Sequence, residues 1–308
     1  MTQTAIVFPG QGSQAVGMLG ELAEQYGVVQ QTFAEASEVL GYDLWALVQQ
    51  GPDADLNETH RTQPALLAAS VAIWRVWQSQ GGATPSVLAG HSLGEYSALV
   101  CAGILDFKEA IKLVELRGQL MQEAVPAGVG AMSAIIGLDN DAIATACEQA
   151  AQGQVVSPVN FNSPGQVVIA GNKDAVDRAN TLCKEAGAKR ALPLPVSVPS
   201  HCALMKSAAE KLAQALESVT FNVPVIPVIN NADVATPTDP AAIKEALVRQ
   251  LHSPVRWTET VERMAAEGVE QLLEFGPGKV LTGLTKRINK SLSSAVVNDS
   301  ASLAAATA

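Results

Sequence analysis

The 308 residues carry 20 Lys and Arg against 30 Asp and Glu, a net charge of −10 that argues against general nucleic-acid binding. With 48% hydrophobic and 16% charged residues, the composition is that of a globular chain able to bury one large core or two smaller ones, and not of a coiled coil or a disordered polymer. No stretch approaches the roughly 20 apolar residues of a membrane span, and the apolar run Ala5 to Phe8 is short and follows no basic residue, so neither a span nor a signal peptide is expected and the location expected is cytoplasmic.

The elements run in an α/β rhythm. Thr4 to Phe8 reads as a strand, and Pro9-Gly-Gln-Gly-Ser-Gln14 as the turn leading into a helix. A helix is expected from about Gln63 to Gln80, stopped by Gly81-Gly82. Ser86 to Ala89 is the next strand, and a helix follows at once from about Leu93. Asp106 then caps a helix over 107–124, with Glu109 three residues on. From about Gly128 the rhythm changes to strand 131–137, helix 141–151, strand 155–161, hairpin partner 166–170, helix 173–186 and strand 189–195. The order β-α-β-β-α-β is that of a small ferredoxin-like unit. From about Lys206 the α/β alternation resumes, ending in the strand Glu270 to Phe275, a Gly276-Pro-Gly278 turn and a basic helix. The expected architecture is therefore an α/β domain, residues 1–125 and 206–308, interrupted by a small inserted domain, residues 126–205. The Ala- and Ser-rich tail after about Ser293 is expected to be frayed.

Gly90-His-Ser-Leu-Gly94 fits the G-x-S-x-G pattern, which is weak by itself. Its setting is stronger, because an apolar strand precedes it and a helix follows. A nucleophile elbow needs that setting. Glycines two before and two after the serine keep the strained turn free of clashes, and the helix N-terminus offers free N–H groups to an oxyanion. The competing reading is a glycine-rich turn that merely packs closely. On the first reading Ser92 is the nucleophile and needs a base. Of the four histidines, His91 should point away from its neighbour Ser92, and His60 and His252 lie in polar surroundings. His201 closes Val196-Ser-Val-Pro-Ser-His201, where the inserted domain hands back to the large one, a favoured place for a cleft. No Asp is identifiable as a third member, which leaves a backbone carbonyl to orient the imidazole.

Arg117 falls on the apolar stripe Ala110, Val114, Arg117, Met121 and Ala124 of its helix. An arginine there faces core or cleft and something anionic must answer it: an internal Asp or Glu, or the carboxylate of a substrate held by a bidentate clamp. Pro9-Gly-Gln-Gly-Ser-Gln14 lacks the endings of the Walker and dinucleotide loops, so nucleotide binding is disfavoured; it is either a plain tight turn or a place where a backbone N–H comes close to a reacting oxygen. The four cysteines, at positions 101, 147, 183 and 202, show no C-x-x-C spacing and read as small buried residues, not as a metal or redox site.

Phe8-Pro-Gly-Gln-Gly-Ser-Gln14, Gly90-His-Ser-Leu-Gly-Glu-Tyr96, Arg117, Asn160-Phe-Asn-Ser-Pro-Gly-Gln166, Val198-Pro-Ser-His201 and Phe275-Gly-Pro-Gly278 together resemble the malonyl-CoA:acyl carrier protein transacylases of bacterial fatty acid synthesis, from Thr4 to about Ile288. The resemblance implies an α/β-hydrolase-like large domain with a ferredoxin-like insert. It implies Ser92 as the acylated nucleophile, His201 as base and later acid, and the backbone N–H groups of Gln11 and Leu93 as the oxyanion hole. Arg117 becomes the clamp on the malonyl carboxylate, Gln63 a polar lining of the pocket, and Gln250 the residue whose backbone carbonyl orients His201. The implied partners are malonyl-CoA and acyl carrier protein, with ping-pong chemistry and no metal or bound cofactor. Carrier proteins are acidic, so an acidic enzyme must meet one through a local basic surface, for which Lys189, Arg190, Lys286 and Arg287 are the candidates. Two other classes compete: a serine hydrolase for neutral acyl chains, which has no use for Arg117, and a binding module whose serine is only structural.

Overall fold

The computed structural model describes residues 3–196 and 198–307. Residues 1–2 and 308 of the expected outer domain, and Ser197 in the segment leading to His201, lie outside the described residues. Nine strands are formed among them: β1 (Thr4–Phe8), β2 (Val87–Gly90), β3 (Gly130–Ile136), β4 (Val156–Ser163), β5 (Gln166–Asn172), β6 (Arg190–Pro193), β7 (Val228–Ile229), β8 (Gln271–Phe275) and β9 (Ser293–Val297). They make two sheets. The first, ordered β7-β2-β1-β8-β9, is parallel throughout and the second, ordered β4-β5-β3-β6, is antiparallel. The chain is thus a mixed α/β fold with a parallel sheet.

A parallel sheet must be covered on both faces, and the central strands β1 and β2 read accordingly as apolar runs, while β8 is interrupted by the buried Glu274. Alternate residues of β1 serve different cores. Ile6 and Phe8 join the helices Gly27–Leu40, Thr59–Ser79 and Phe107–Ala124 on one face, while Ala5 and Val7 pack with Trp257, Val261, Met264 and Leu284 on the other. The helix Thr59–Ser79 is apolar nearly all round because it is buried nearly all round. It begins one turn before the expected Gln63. Pro64 lies inside the helix, and the preceding turn is held by Thr62, whose hydroxyl donates to the carbonyls of Leu56 and Glu58.

The second sheet carries the expected order of strands and helices, with Asn140–Ala151 and Lys173–Glu185 packed on one face over Ile135, Val167 and Ile169. Its other face, including Met132, Val168 and Ala170, turns toward Cys202 and the large sheet's lobe. All four cysteines are buried and free. No helix among the described residues is long and apolar enough to cross a membrane.

The expectation of a frayed tail is wrong. Ser293–Val297 forms β9, paired in parallel with β8 from Gln271↔Ser293 to Phe275↔Val297. Asp299 Oδ1 then accepts from the Ser302 N–H at 2.7 Å and starts the helix Ser300–Thr307, whose Leu303 is 2% exposed. Small residues gave no amphipathic pattern, but an edge strand needs only the backbone of β8 and one buried Val297 to register it.

Candidate active site

Loops after the carboxyl ends of β1, β2, β7 and β8 meet at one edge of the parallel sheet, the position where open α/β sheets form crevices. The antiparallel sheet lies over that edge, leaving a cavity of about 280 Å³ lined by Gln11, Ser92, Leu93 and Arg117 on one side and by Met132 and Val168 of the antiparallel sheet on the other. At its floor is the turn after β2. Ser92 sits there with φ of +52°, in the left-handed region that costs a non-glycine residue stability and is tolerated where surroundings fix it. The flanking glycines are sterically required: a Cβ on Gly90 would overlap the backbone of Gly94, and one on Gly94 would overlap the Phe8 carbonyl.

Ser92 Oγ is 2.7 Å from His201 Nε2, and His201 Nδ1 is 2.7 Å from the backbone oxygen of Gln250. The helix Pro240–His252 ends at this point, so its last carbonyls have no intrahelical donor. His201 answers two of them, Gln250 through Nδ1 and Leu251 through its own N–H at 3.2 Å. Like Ser92, His201 has a positive φ, +63°. Burial, and after it the nearby Arg117 charge, push its pKa down to about 3. The imidazole is therefore neutral at physiological pH and free to accept a proton.

Arg117 is 1% exposed, and its hydrogen-bond partners are neutral: Nη1 donates to Gln63 Oε1 at 2.8 Å, and Nη2 to Gln250 Oε1 at 3.0 Å and Ser92 Oγ at 3.3 Å. Its Nε has no partner among the described residues, and the Tyr96 ring lies 5.3 Å from Cζ. Burial pulls the guanidinium's pKa below its ordinary value. Of the two readings the sequence left open, an internal ion pair is not what the structure forms; a full positive charge stands at the cavity without a carboxylate bonded to it.

Glu95, the nearest acid, is buried behind the elbow. Its Oε2 accepts from the Asn231 N–H and from Gln250 Nε2, each at 2.9 Å, and burial pushes its pKa up to about 7. His91 does point away from Ser92. It packs on Trp257 and bonds Asn162 Oδ1 at 2.8 Å, bridging to β4 of the antiparallel sheet.

Among the expected residues, Gln11 and Leu93 line the cavity, and neither N–H donates to a protein acceptor among the described residues. Gln63 is a correction: it does not line the cavity but lies behind Arg117, 1% exposed, with Nε2 3.5 Å from Met121 Sδ. His60 and His252 are half-buried and do not line the cavity.

A family model described as acyl transferase domain matches residues 5–305. The malonyl CoA-acyl carrier protein transacylase of Salmonella typhimurium is 68% identical over 306 residues, 99% of each chain, and the Bacillus subtilis protein of that name is 47% identical over 97% of this chain and 94% of its own. The chain belongs to the family of malonyl CoA-acyl carrier protein transacylases.

Solved members of this family superpose over the whole chain. An acyl carrier protein S-malonyltransferase from Vibrio cholerae matches with TM-score 0.97 and 77% identity, over 99% of both chains. A malonyl-transacylase in complex with a type II PKS acyl-carrier protein matches with TM-score 0.99 and 70% identity, also over 99% of both. Within this family member, sequence reasoning missed Asn231, Glu95 and the side chain of Gln250. The first two had a readable signal. Asn230-Asn231 directly follows the apolar β7 at a strand's carboxyl end, and Glu95 is the lone charged residue in the buried helix Gly94–Cys101.

Proposed function

We propose that the protein transfers a malonyl group from malonyl-CoA to the pantetheine thiol of an acyl carrier protein, through a malonyl-Ser92 intermediate, in fatty acid biosynthesis in the cytoplasm. The observation that carries this reading is Arg117: a buried guanidinium bonded only to neutral groups, 3.3 Å from the hydroxyl that His201 also holds. A pocket for a neutral acyl chain gains nothing from that charge, whereas a malonyl carboxylate supplies its missing counterion.

The mechanism follows from the donors and acceptors. Because Nδ1 faces a carbonyl, Nε2 is the acceptor and takes the Ser92 proton as Oγ attacks the thioester carbon. The oxyanion is met by the N–H groups of Leu93 and Gln11, with Gln63 and Gln250 holding Arg117 on the carboxylate. The C–S bond breaks, His201 gives its proton to the departing CoA sulfur, and the malonyl ester remains on Ser92. The carrier's thiol then loses its proton to Nε2, attacks the ester, and Ser92 recovers the proton. The imidazolium formed on the way is favoured by the helix C-terminus at Gln250, and by neutralisation of Arg117 once malonate is bound.

The same reading assigns residues 1–125 and 206–308 to an α/β-hydrolase-like domain and 126–205 to a ferredoxin-like insert. The parallel sheet with a serine elbow after β2, and the order β4-β5-β3-β6 with two helices on one face, support it.

Intact-mass measurement after mixing with malonyl-CoA is the test. A malonyl adduct that is absent in Ser92→Ala is expected. Rapid CoA release without an adduct would instead make the protein a hydrolase, and neither event would leave a binding module.

A further inference from the structure

Ser92 is the residue the elbow strains most, and both of its backbone polar groups are held by side chains. Its N–H donates to Asn231 Oδ1 at 2.7 Å, and its carbonyl accepts from Gln250 Nε2 at 3.0 Å besides the Glu95 N–H of the first helical turn at 3.1 Å. Asn231 Nδ2 also donates to the Gly90 carbonyl at 2.6 Å. One carboxamide therefore closes both ends of the Gly90-His-Ser92 turn, which only a side chain with donor and acceptor on a single plane can do. Asn231 has no freedom to swing away: it is 0% exposed, it follows β7, which pairs with β2 through Leu88↔Val228 and Ala89↔Ile229, and its own N–H is bonded to Glu95. Gln250 Nε2 bonds that same Glu95 oxygen.

We propose that Asn231 and the Gln250 carboxamide, both anchored on Glu95, are a positioning pair that fixes the two peptides flanking Ser92 and thereby aims the nucleophile and the oxyanion hole. The Ser92–Leu93 peptide is a rigid trans plane, so its C=O and N–H point in opposite directions. Fixing the carbonyl on Gln250 turns the Leu93 N–H the other way, away from the Gln250 side chain. The preceding peptide, tied to Asn231, sets the φ of Ser92 and with it the direction in which Oγ leaves the backbone toward His201. Neither residue of the pair reaches the reacting atoms by its carboxamide donors; they act through the backbone of the elbow. Gln250 thus has three contacts at the site: its main-chain oxygen on His201, its Oε1 on Arg117 and its Nε2 on the Ser92 carbonyl.

The inference rests on the reading of Leu93 N–H as an oxyanion donor, and single-turnover acylation by malonyl-CoA separates the two. Asn231→Ala should slow the saturating acylation rate by roughly tenfold to a hundredfold, less than the loss of a whole oxyanion donor. The malonyl-CoA concentration at half-saturation should stay within about threefold, since the clamp at Arg117 is untouched. Asn231→Asp keeps an acceptor for the Ser92 N–H but loses the donor to Gly90, so it should fall between. A wild-type saturating rate in Asn231→Ala, or a change confined to half-saturation, would overturn the positioning role. If the alanine variant does not fold, Asn231→Asp decides: a saturating rate equal to wild type overturns it, and a slowed rate at unchanged half-saturation supports it. Ser92→Ala run alongside keeps the failures apart. An adduct that persists there sinks the Ser92 mechanism itself, whereas no adduct there together with a full rate in Asn231→Ala removes only this inference.

Discussion

The main-chain oxygen of Gln250 lies 2.7 Å from Nδ1 of His201, and this one contact fixes the chemistry of the imidazole. A carbonyl can only accept, so the proton is on Nδ1 and Nε2 presents its lone pair to Ser92. A carboxylate in the same place would hold a counter-charge against the imidazolium. A carbonyl at a helix end offers only a partial one.

With burial and Arg117 both opposing protonation, His201 should stay neutral in the empty enzyme far below the ordinary histidine range, down to about 3. NMR titration of its ring carbons checks this, and a midpoint near 6.5 would contradict it. Arg117→Ala should raise the midpoint by removing the second cause. The sign for stability follows. The unfolded chain binds this proton near 6.5 and the native one only near 3, so the contribution is full above 6.5 and is lost as pH falls toward 3.

Glu95 works in the opposite direction. Its native pKa is pushed up to about 7 from 4.5, mainly by burial. Between these values the native state keeps a proton that the unfolded chain has released, so stability falls as pH rises through that window. Glu95→Gln should remove the slope. Urea unfolding from about pH 5 to about 7.5 should show wild-type stability declining relative to the variant, and parallel curves would mean that Glu95 is ionised throughout.

Arg117→Ala should abolish the preference for malonyl-CoA over acetyl-CoA, a loss of about 2–4 kcal/mol or roughly 30- to 1,000-fold in relative kcat/KM, from one charge-assisted clamp. Its thermal midpoint should hold or rise, because a buried charge bonded only to neutral partners is a cost to the empty protein. Malonyl selectivity that survives the change would show the clamp assignment to be wrong.

What the sequence made legible was chemistry that depends on local pattern: the elbow around Ser92, the capped helix that carries Arg117, and the strand and helix order of the antiparallel sheet. Arg117 was visible because a charge on an apolar stripe has few explanations. The pair Asn231 and Gln250 was not, because each acts through a contact between residues 139 or 158 positions apart, which no periodicity encodes. Gln63 was misplaced for a related reason. The family resemblance puts it at the pocket wall, but only the crossing of its helix with that of Arg117 decides that it supports the guanidinium from behind. The tail was misread because Ser and Ala carry almost no pattern of their own, and β9 takes its order from β8.

That last point has its own test. Leu303 is 2% exposed in the main core, and Ser300 N–H bonds Glu21 across the fold at 3.0 Å. Leu303→Ala should destabilise the protein by about 2 kcal/mol or more, as a buried leucine does when truncated. A frayed tail would show no change in the unfolding midpoint.

The candidate carrier-docking residues can now be judged as a surface. Lys189, Arg190, Lys286 and Arg287 are all exposed, and two contacts bring them to one edge. Ile136 of β3 pairs with Gln166 on one side and Arg190 on the other, which puts those two Cα atoms roughly 10 Å apart across the sheet. Arg287 Nη1 donates to Gln166 Oε1 at 2.7 Å, so the basic helix Val280–Ile288 lies against that same row. The helix also lends Val280, Leu281 and Leu284 to the cavity wall, so the basic edge and the pocket share one element. On a chain of net charge −10, such a cluster offers an acidic carrier a local attraction that the whole protein's field would deny. Replacing all four with Glu should raise the apparent KM for the carrier about tenfold, with the effect shrinking as salt is added. Acylation by malonyl-CoA in the absence of carrier should remain at the wild-type rate. An unchanged KM for the carrier would remove these residues from the interface, and a loss of acylation would mean that the substitutions had disturbed the helix at the pocket instead.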